Sequence, residues 1–547
     1  MHLLQVLRTC DHTLEEGGVV KILVSDKLSE KGVEILRNGG LEVDVNTGLK
    51  PEELKAIIGD YDGLVVRSAT KATDEIISAA KNLKVIGRAG AGVDNIDIAA
   101  ASKKGIVVMN TPGGNTVTTG EHSIAMMMAL TRNIPQATAT MKDGKWEKKA
   151  LEGREVFNKT IGIIGLGRVG SIVASRAQGL KMNVIVYDPF ITQEIAEKQG
   201  YELVSLDDLY TRSDYITVHI PKSKETMGFV NKDAFAKMKD GVMIINCARG
   251  GIINEKDLVD ALDSGKVAGA AIDVFEKEPP EDWSLAKHPK VICTPHLGAS
   301  THEAQENVAL AIAEQIVDYL NTGVIRNAVN APSVAPEMLN KMKPYIDLSE
   351  KMGHFLGQII GQVTSDRLKK ITFNYTGEAS ELTTEPITIA GLKGLFSTIV
   401  DDVNYVNAPV LVKDRGIDLV DSHTTREEVF TNTIEISLEF DSGTRSLAGS
   451  VFHPDDLRIV KVDDYSIEVI PEGHMLVIYN KDLPGTVGRI GTIIGESGVN
   501  IARLFLGRDK KKGTAIIIIN VDTEVPKDTI EKIAAVPNAL SVQEVSI

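Results

Sequence analysis

The chain has little cysteine, no long apolar run and no excess of positive charge, and each lack removes a class of function. Its 547 residues hold 3 cysteines, Cys10, Cys247 and Cys293. These lack both the paired spacing of a zinc site and the number needed for a disulfide framework, so no metal is expected and a reducing cytoplasm suits them. No apolar stretch approaches the ~20 residues that cross a bilayer. A net charge of −15 argues against a nucleic-acid surface or a polybasic membrane anchor. It leaves room for an anionic small molecule, because a few arginines set the potential inside a cleft.

What is present describes a globular protein: 43% hydrophobic and 25% charged residues. A chain this long exceeds one core, and three or four domains are expected. Residues 1–18 mix Arg8 with Asp11, Glu15 and Glu16 and lack the apolar core of a secretory signal. They are expected to form a poorly ordered extension.

One stretch organises the rest. The apolar run Ile161–Ile164 reads as a buried strand, and Gly165, Gly167 and Gly170 follow in G-x-G-x-x-G spacing before a helical pattern. In a dinucleotide site the first glycine makes the turn, the second admits the pyrophosphate, and the third lets helix approach sheet. The helix N-terminus then offers free N–H groups to the phosphates. A second strand, Asn183–Tyr187, ends at Asp188, placed to bind the adenosine ribose and to favour NAD over NADP.

Before that stretch, from Val19 to about Asn110, short apolar runs alternate with amphipathic helical segments, the mark of a parallel α/β sheet. Arg67-Ser68, Gly87–Asn95 with Arg88 and Gly90, and Thr111–Thr116 with Asn115 follow three of its strands. Arginine is a permanent, planar anion clamp, and small residues bring backbone close to a ligand. The Thr116–Arg132 helix, with Met126, Met127 and Met128, reads as core filling between two doubly wound units. Later strands end at Asn246, Asp273 and Thr294, which puts Arg249, Glu278 and His296 beyond the same sheet edge as the glycine loop.

Oxidising a secondary alcohol beside a carboxylate needs a base, a cation and a hydride acceptor. Histidine suits the base, a paired glutamate orients it, and arginine holds the carboxylate. His219, also just past a strand, receives no proton-transfer role.

Gly87–Asn95, Gly165–Gly170, Asn246–Gly251 and Thr294–Thr301 together resemble the D-isomer-specific 2-hydroxyacid dehydrogenases. The resemblance covers about Val19 to Ala331 and implies that Arg249, Glu278 and His296 are the catalytic set. It implies NAD as cofactor, held by Gly165, Gly167, Arg168, Val169, Gly170 and Asp188. Further contacts would come from Cys247, Ala248, Arg249 and Asp273, with His296, Gly298 and Ala299 beyond the last strand. Arg67, Arg88, Gly90, Asn115 and Arg249 would meet the substrate. Ala91 departs from relatives with a threonine there, which removes one hydrogen bond.

Within the family the sequence is most similar to the long members that oxidise 3-phosphoglycerate to phosphohydroxypyruvate in serine synthesis. Glycerate or glyoxylate reductases share these loops, and a non-catalytic nucleotide sensor could share the fold. The implied fold is α/β: two doubly wound parallel-sheet domains, an α+β intervening domain and a C-terminal βαββαβ domain. The expected division is 19–117 with 297–330 for substrate, 118–296 for NAD, 331–470 intervening and 471–547 at the end. The last region, with Asp482-Leu-Pro-Gly485 before a helix, resembles an ACT domain. By position Asn480, Asp482 and Asn500 match effector contacts of serine-sensing examples, although some relatives have histidine at Asn480. That region reads either as an L-serine site or as a module that pairs subunits. The intervening region reads as a spacer or a ligand site. A homodimer or homotetramer is implied.

Overall fold

The computed structural model describes residues 19–332, 336–361, 367–424, 430 and 432–547. The extension expected at 1–18 lies outside the described residues. These residues form four sheets.

The first sheet holds β1 (Lys21–Val24), β2 (Glu42–Val45), β3 (Gly63–Val66), β4 (Val85–Arg88) and β5 (Val107–Met109). All are parallel, in the order β2-β1-β3-β4-β5. Every residue of β3 and β5 is buried, which is why these strands read as unbroken apolar runs. The His302–Thr322 helix returns to this sheet after the second one is complete. Its Ile312, Ala313 and Ile316 share a core with Ile22, Val65 and Val107. Gly32 admits it closely: a Cβ there would lie 3.0 Å from the Ala309 carbonyl oxygen.

The second sheet holds β6 (Thr160–Ile164), β7 (Asn183–Tyr187), β8 (Glu202–Leu203), β9 (Tyr215–Val218), β10 (Val242–Asn246), β11 (Val267–Ile272) and β12 (Val291–Cys293). The order β12-β11-β10-β9-β6-β7-β8 reverses direction between β6 and β9. Such a switch point opens a crevice beyond the carboxyl ends of the strands. The Thr116–Thr131 helix passes between the two sheets, with Met126, Met127 and Leu130 buried in the second core.

The third sheet holds β13 (Leu368–Thr376), β14 (Asp418–Thr424), β15 (Thr433–Phe440), β16 (Gly443–His453), β17 (Asp456–Val462) and β18 (Tyr465–Val469). It is antiparallel except for the β13–β14 pair. Two helices, Pro336–Gly361 and Glu385–Phe396, cross in backbone contact against it. A Cβ on Gly353 or on Gly394 would come within 2.0 Å of a carbonyl oxygen of the other helix.

The fourth sheet, β19 (His474–Lys481), β20 (Ile501–Asp509), β21 (Thr514–Val521) and β22 (Ala539–Ser546), is antiparallel in the order β20-β21-β19-β22. With helices Thr486–Glu496 and Lys527–Ala534 it forms the expected βαββαβ unit. Both of its faces are covered. Leu476, Ile478, Ile517 and Ile519 face its own helices, while Met475, Val477, Ile516 and Ile518 join the core of the preceding unit. Among the described residues no helix is long and apolar enough to cross a membrane.

Candidate active site

The strand ends of the second sheet build one rim of a cleft. Beyond β10, Asn246 shapes the turn: its side chain donates to the Arg249 carbonyl at 3.1 Å and accepts the Ala248 amide at 3.1 Å. Arg249 then reaches across to the first sheet's loop, where its Nε lies 3.1 Å from Asp94 Oδ2. Cys247 beside it is buried, and burial pushes its thiol up to about 12, so it is no nucleophile.

Beyond β12, His296 adopts a φ of +56°, a left-handed conformation that histidine seldom takes. Its Nδ1 lies 2.7 Å from Glu278 Oε2, while Glu278 Oε1 accepts the Phe275 amide at 3.1 Å. The hydrogen bond that His296 donates to Glu278 raises the imidazole pKa above its ordinary value, against burial that opposes it. Burial works to raise the Glu278 carboxyl, but the hydrogen bond and charge of His296 and the Phe275 amide together outweigh it and hold the group low. With Nδ1 engaged, Nε2 is the atom left to exchange a proton. The ring is 47% exposed, so it faces the cleft.

The glycine loop fits a dinucleotide. Gly165 has a φ of +93°, and a Cβ on it would sit 2.8 Å from the His219 carbonyl oxygen. A Cβ on Gly170 would lie 2.0 Å from the Gly165 oxygen, whereas Gly167 has no neighbour within 4 Å and presents an open face. The Arg168–Gly179 helix starts there, with Arg168 exposed and Val169 half-buried, and its first amides are available to phosphate. Asp188 closes the loop from the neighbouring strand, accepting the Leu166 and Phe190 amides at 2.8 Å each. Each carboxylate oxygen keeps a further lone pair for a ribose hydroxyl. Opposite, Gly298 is buried against Asp273 and Ala299 is half-buried.

Arg67 and Arg88 stand on the other rim, where Arg249 reaches toward them. Burial, then the neighbouring Arg249 and Arg67 charges, push Arg88 down to about 10. Arg67 Nη1 donates to the Lys27 carbonyl at 3.1 Å. Asn95 ties the two together, donating to the Arg67 carbonyl at 2.7 Å and accepting from Arg88 Nε at 3.4 Å. A Cβ on Gly90 would lie 2.0 Å from Arg88 Nη1, so a side chain there would displace that guanidinium. Asn115 precedes the connecting helix, its side chain not used as a cap. His219 is half-buried, and desolvation of its ring pushes it down to about 4, which keeps it neutral and out of proton transfer.

Known proteins match nearly all of this sequence. The profile of the D-isomer specific 2-hydroxyacid dehydrogenase NAD binding domain matches residues 124–298. That of the D-3-phosphoglycerate dehydrogenase intervening domain matches 341–463, and that of the ACT domain matches 474–538. A D-3-phosphoglycerate dehydrogenase of Archaeoglobus fulgidus is 44% identical over 96% of this chain and 100% of its own length. One of Bacillus subtilis is 40% identical over 96% of this chain and 99% of its own. The chain belongs to the D-3-phosphoglycerate dehydrogenase family. Solved structures match a little over half of it. The TT0316 protein of Thermus thermophilus is 32% identical with a TM-score of 0.53, covering 57% of this chain and all of that one. A D-lactate dehydrogenase of Aquifex aeolicus, complexed with NAD and lactic acid, is 27% identical with a TM-score of 0.51. It covers 57% of this chain and 100% of its own.

Two polar residues at the cleft were not singled out from sequence. Asp94 belongs to the glycine-rich Gly87–Asn95 loop, and nothing in the local sequence shows that it faces Arg249. His122 lies within the otherwise core-forming Thr116–Thr131 helix, and its Nε2 comes within 3.2 Å of Asp273. A histidine inside an apolar helix was the available signal.

The three effector positions are not together in one chain. Asn480 sits near the end of β19 and Asp482 just beyond it, whereas Asn500 precedes β20 at the opposite end of the sheet. Six residues of strand, about 20 Å, separate the two ends. Asp482 is paired with Arg508 at 2.7 Å and Asn500 with Asp522 at 2.8 Å. Asn480 is buried and its Oδ1 has no partner.

Proposed function

We propose that this chain oxidises 3-phospho-D-glycerate to 3-phosphohydroxypyruvate with NAD. The observation that carries this reading is the His296–Glu278 pair facing the three arginines across a cleft lined by the glycine loop. His296 Nε2 takes the proton of the C2 hydroxyl as the C2 hydride leaves. Glu278 stabilises the imidazolium and fixes the ring. Arg249 holds the substrate carboxylate and polarises the developing carbonyl, while Arg67 and Arg88 hold the phosphate. The bound nicotinamide supplies the hydride acceptor. Reduction runs the same steps backward, starting from imidazolium.

The test is Arg88→Leu. Loss of a half-buried phosphate anchor should lower kcat/KM for phosphohydroxypyruvate by roughly 100-fold or more while sparing hydroxypyruvate. Equal losses on both ketones would remove Arg88 from the phosphate site.

The C-terminal unit is proposed as an L-serine site formed between two copies. The orphaned Asn480 oxygen supports it, as does the placement of Asn500 at the far end of the sheet, which a second chain could bring back to Asn480. A homo-oligomer also suits the apolar surface near the connecting helix. Trp146 is 80% exposed there, and Ile134 and Met141 of the Ile134–Lys142 helix are exposed as well. Sedimentation velocity that finds a monomer at micromolar concentration would contradict the two-copy site.

A further inference from the structure

We infer that His122 is a positioning residue for the reaction: through the buried Asp273 carboxylate it holds the 294–298 loop in the backbone conformation that presents His296. The inference rests on the acid–base reading of His296.

Asp273 lies at the end of β11 and is wholly buried. Burying a carboxylate is tolerated when donors saturate it. Its Oδ1 accepts the Thr294 hydroxyl at 2.5 Å and the Leu297 amide at 2.7 Å, and its Oδ2 accepts the Gly298 amide at 2.9 Å. Those three donors bracket His296 in sequence. The carboxylate therefore grips the loop on both sides of the residue that carries the unfavourable φ.

His122 is the donor from outside that loop. Its Nε2 lies 3.2 Å from Asp273 Oδ1 and 3.3 Å from Thr294 Oγ1, a forked contact that reaches the carboxylate and its short-bonded partner together. The two buried hydroxyls of the same helix donate back to it, Ser123 to the Thr119 carbonyl and Thr131 to the Met127 carbonyl, and Thr131 also reaches the Tyr215 hydroxyl at 3.4 Å. Of these three, His122 is the one that reaches the 294–298 loop. The helix also lies alongside the loop at a second point, where a Cβ added to Gly298 would come within 3.4 Å of Thr119 Cγ2. A ring donor on a helix packed into the core is a rigid support for a strained loop, and such outer contacts decide how well a catalytic group is aimed.

His122, Cys247 and Asp273 place one donor atom each within 4.8 Å of one another, as a metal site would. The same atoms argue against a metal. Asp273 Oδ1 already has three donors, and the Cys247 thiol is held protonated by burial.

The experiment compares His122→Phe, which keeps a ring and loses the donor, with His122→Gln, which keeps a donor and loses the ring. Steady-state kinetics with phosphohydroxypyruvate and NADH would be read beside amide hydrogen exchange of the segment containing Leu297 and Gly298. For the Phe variant kcat should fall about 10-fold or more, KM should change less than about threefold, and the segment should exchange faster. The Gln variant should restore most of kcat and the slow exchange. A Phe variant with near wild-type kcat, or a Gln variant as slow as the Phe one, overturns the inference. If the Phe variant does not fold, the Gln variant decides alone: a deep loss of kcat in a folded protein overturns it. Absence of turnover in the unmodified protein would instead strike the reading of His296 itself.

Discussion

Asp273 and His296 are joined through the main chain. The His296 amide donates to the Asp273 carbonyl at 2.9 Å, and the next two amides donate to the Asp273 carboxylate. The place of the proposed base is thus set by a buried charge at the end of β11, and its protonation by Glu278. Separate groups aim the ring and tune it, so they should be separable by mutation.

Replacing His296 with Asn removes the proton acceptor while keeping a residue that tolerates positive φ. Turnover should fall by roughly 10²–10⁴-fold. NADH binding, read by fluorescence, should persist. Equal loss of both would show that the residue supports the cofactor site and has no proton to move.

Glu278 raises the pKa of His296, and oxidation needs the neutral ring. The kcat/KM for 3-phosphoglycerate should therefore rise with pH through that raised value, and that for the ketone should fall through it. Glu278→Gln removes the anion, so both limbs should move to lower pH. A limb that stays in place would assign the titration to another group.

Gly170 lets the Arg168–Gly179 helix meet the strand turn, with no room for a methyl against the Gly165 carbonyl. Gly170→Ala should weaken NADH binding at least about 10-fold and lower stability by about 1–3 kcal/mol. Calorimetry and fluorescence titration check the two effects. Unchanged binding would mean that the loop does not hold the pyrophosphate.

Much of this was legible because the signals are local. The spacing of Gly165, Gly167 and Gly170 and the buried runs of β6 and β10 read directly as strand, turn and helix. The Glu385–Phe396 helix did not, because it is buried on nearly every side and so lacks the one-sided pattern that marks a helix. Strand β14 also escaped, being an edge strand with an exposed, polar sequence. Strands β17 and β18 went unread as well. Contacts between distant segments were hidden by their nature. The pairing of Asp94 with Arg249 spans 155 residues, and the separation of Asn500 from Asn480 follows from strand register, which local sequence does not encode.

If two copies form the serine site, Asn480→Ala and Asn500→Ala should each raise the L-serine concentration for half-inhibition at least about 10-fold, since each removes a ligand contact. Inhibition that survives both changes would place the effector elsewhere. Inhibition lost in only one would reduce the site to a single chain.

The most direct test of the central claim is NADH oxidation by the purified protein with phosphohydroxypyruvate, hydroxypyruvate and glyoxylate side by side. The arrangement of Arg67, Arg88 and Arg249 predicts the highest kcat/KM for the phosphorylated ketone. A preference for an unphosphorylated ketone, or no turnover with any of the three, would contradict it.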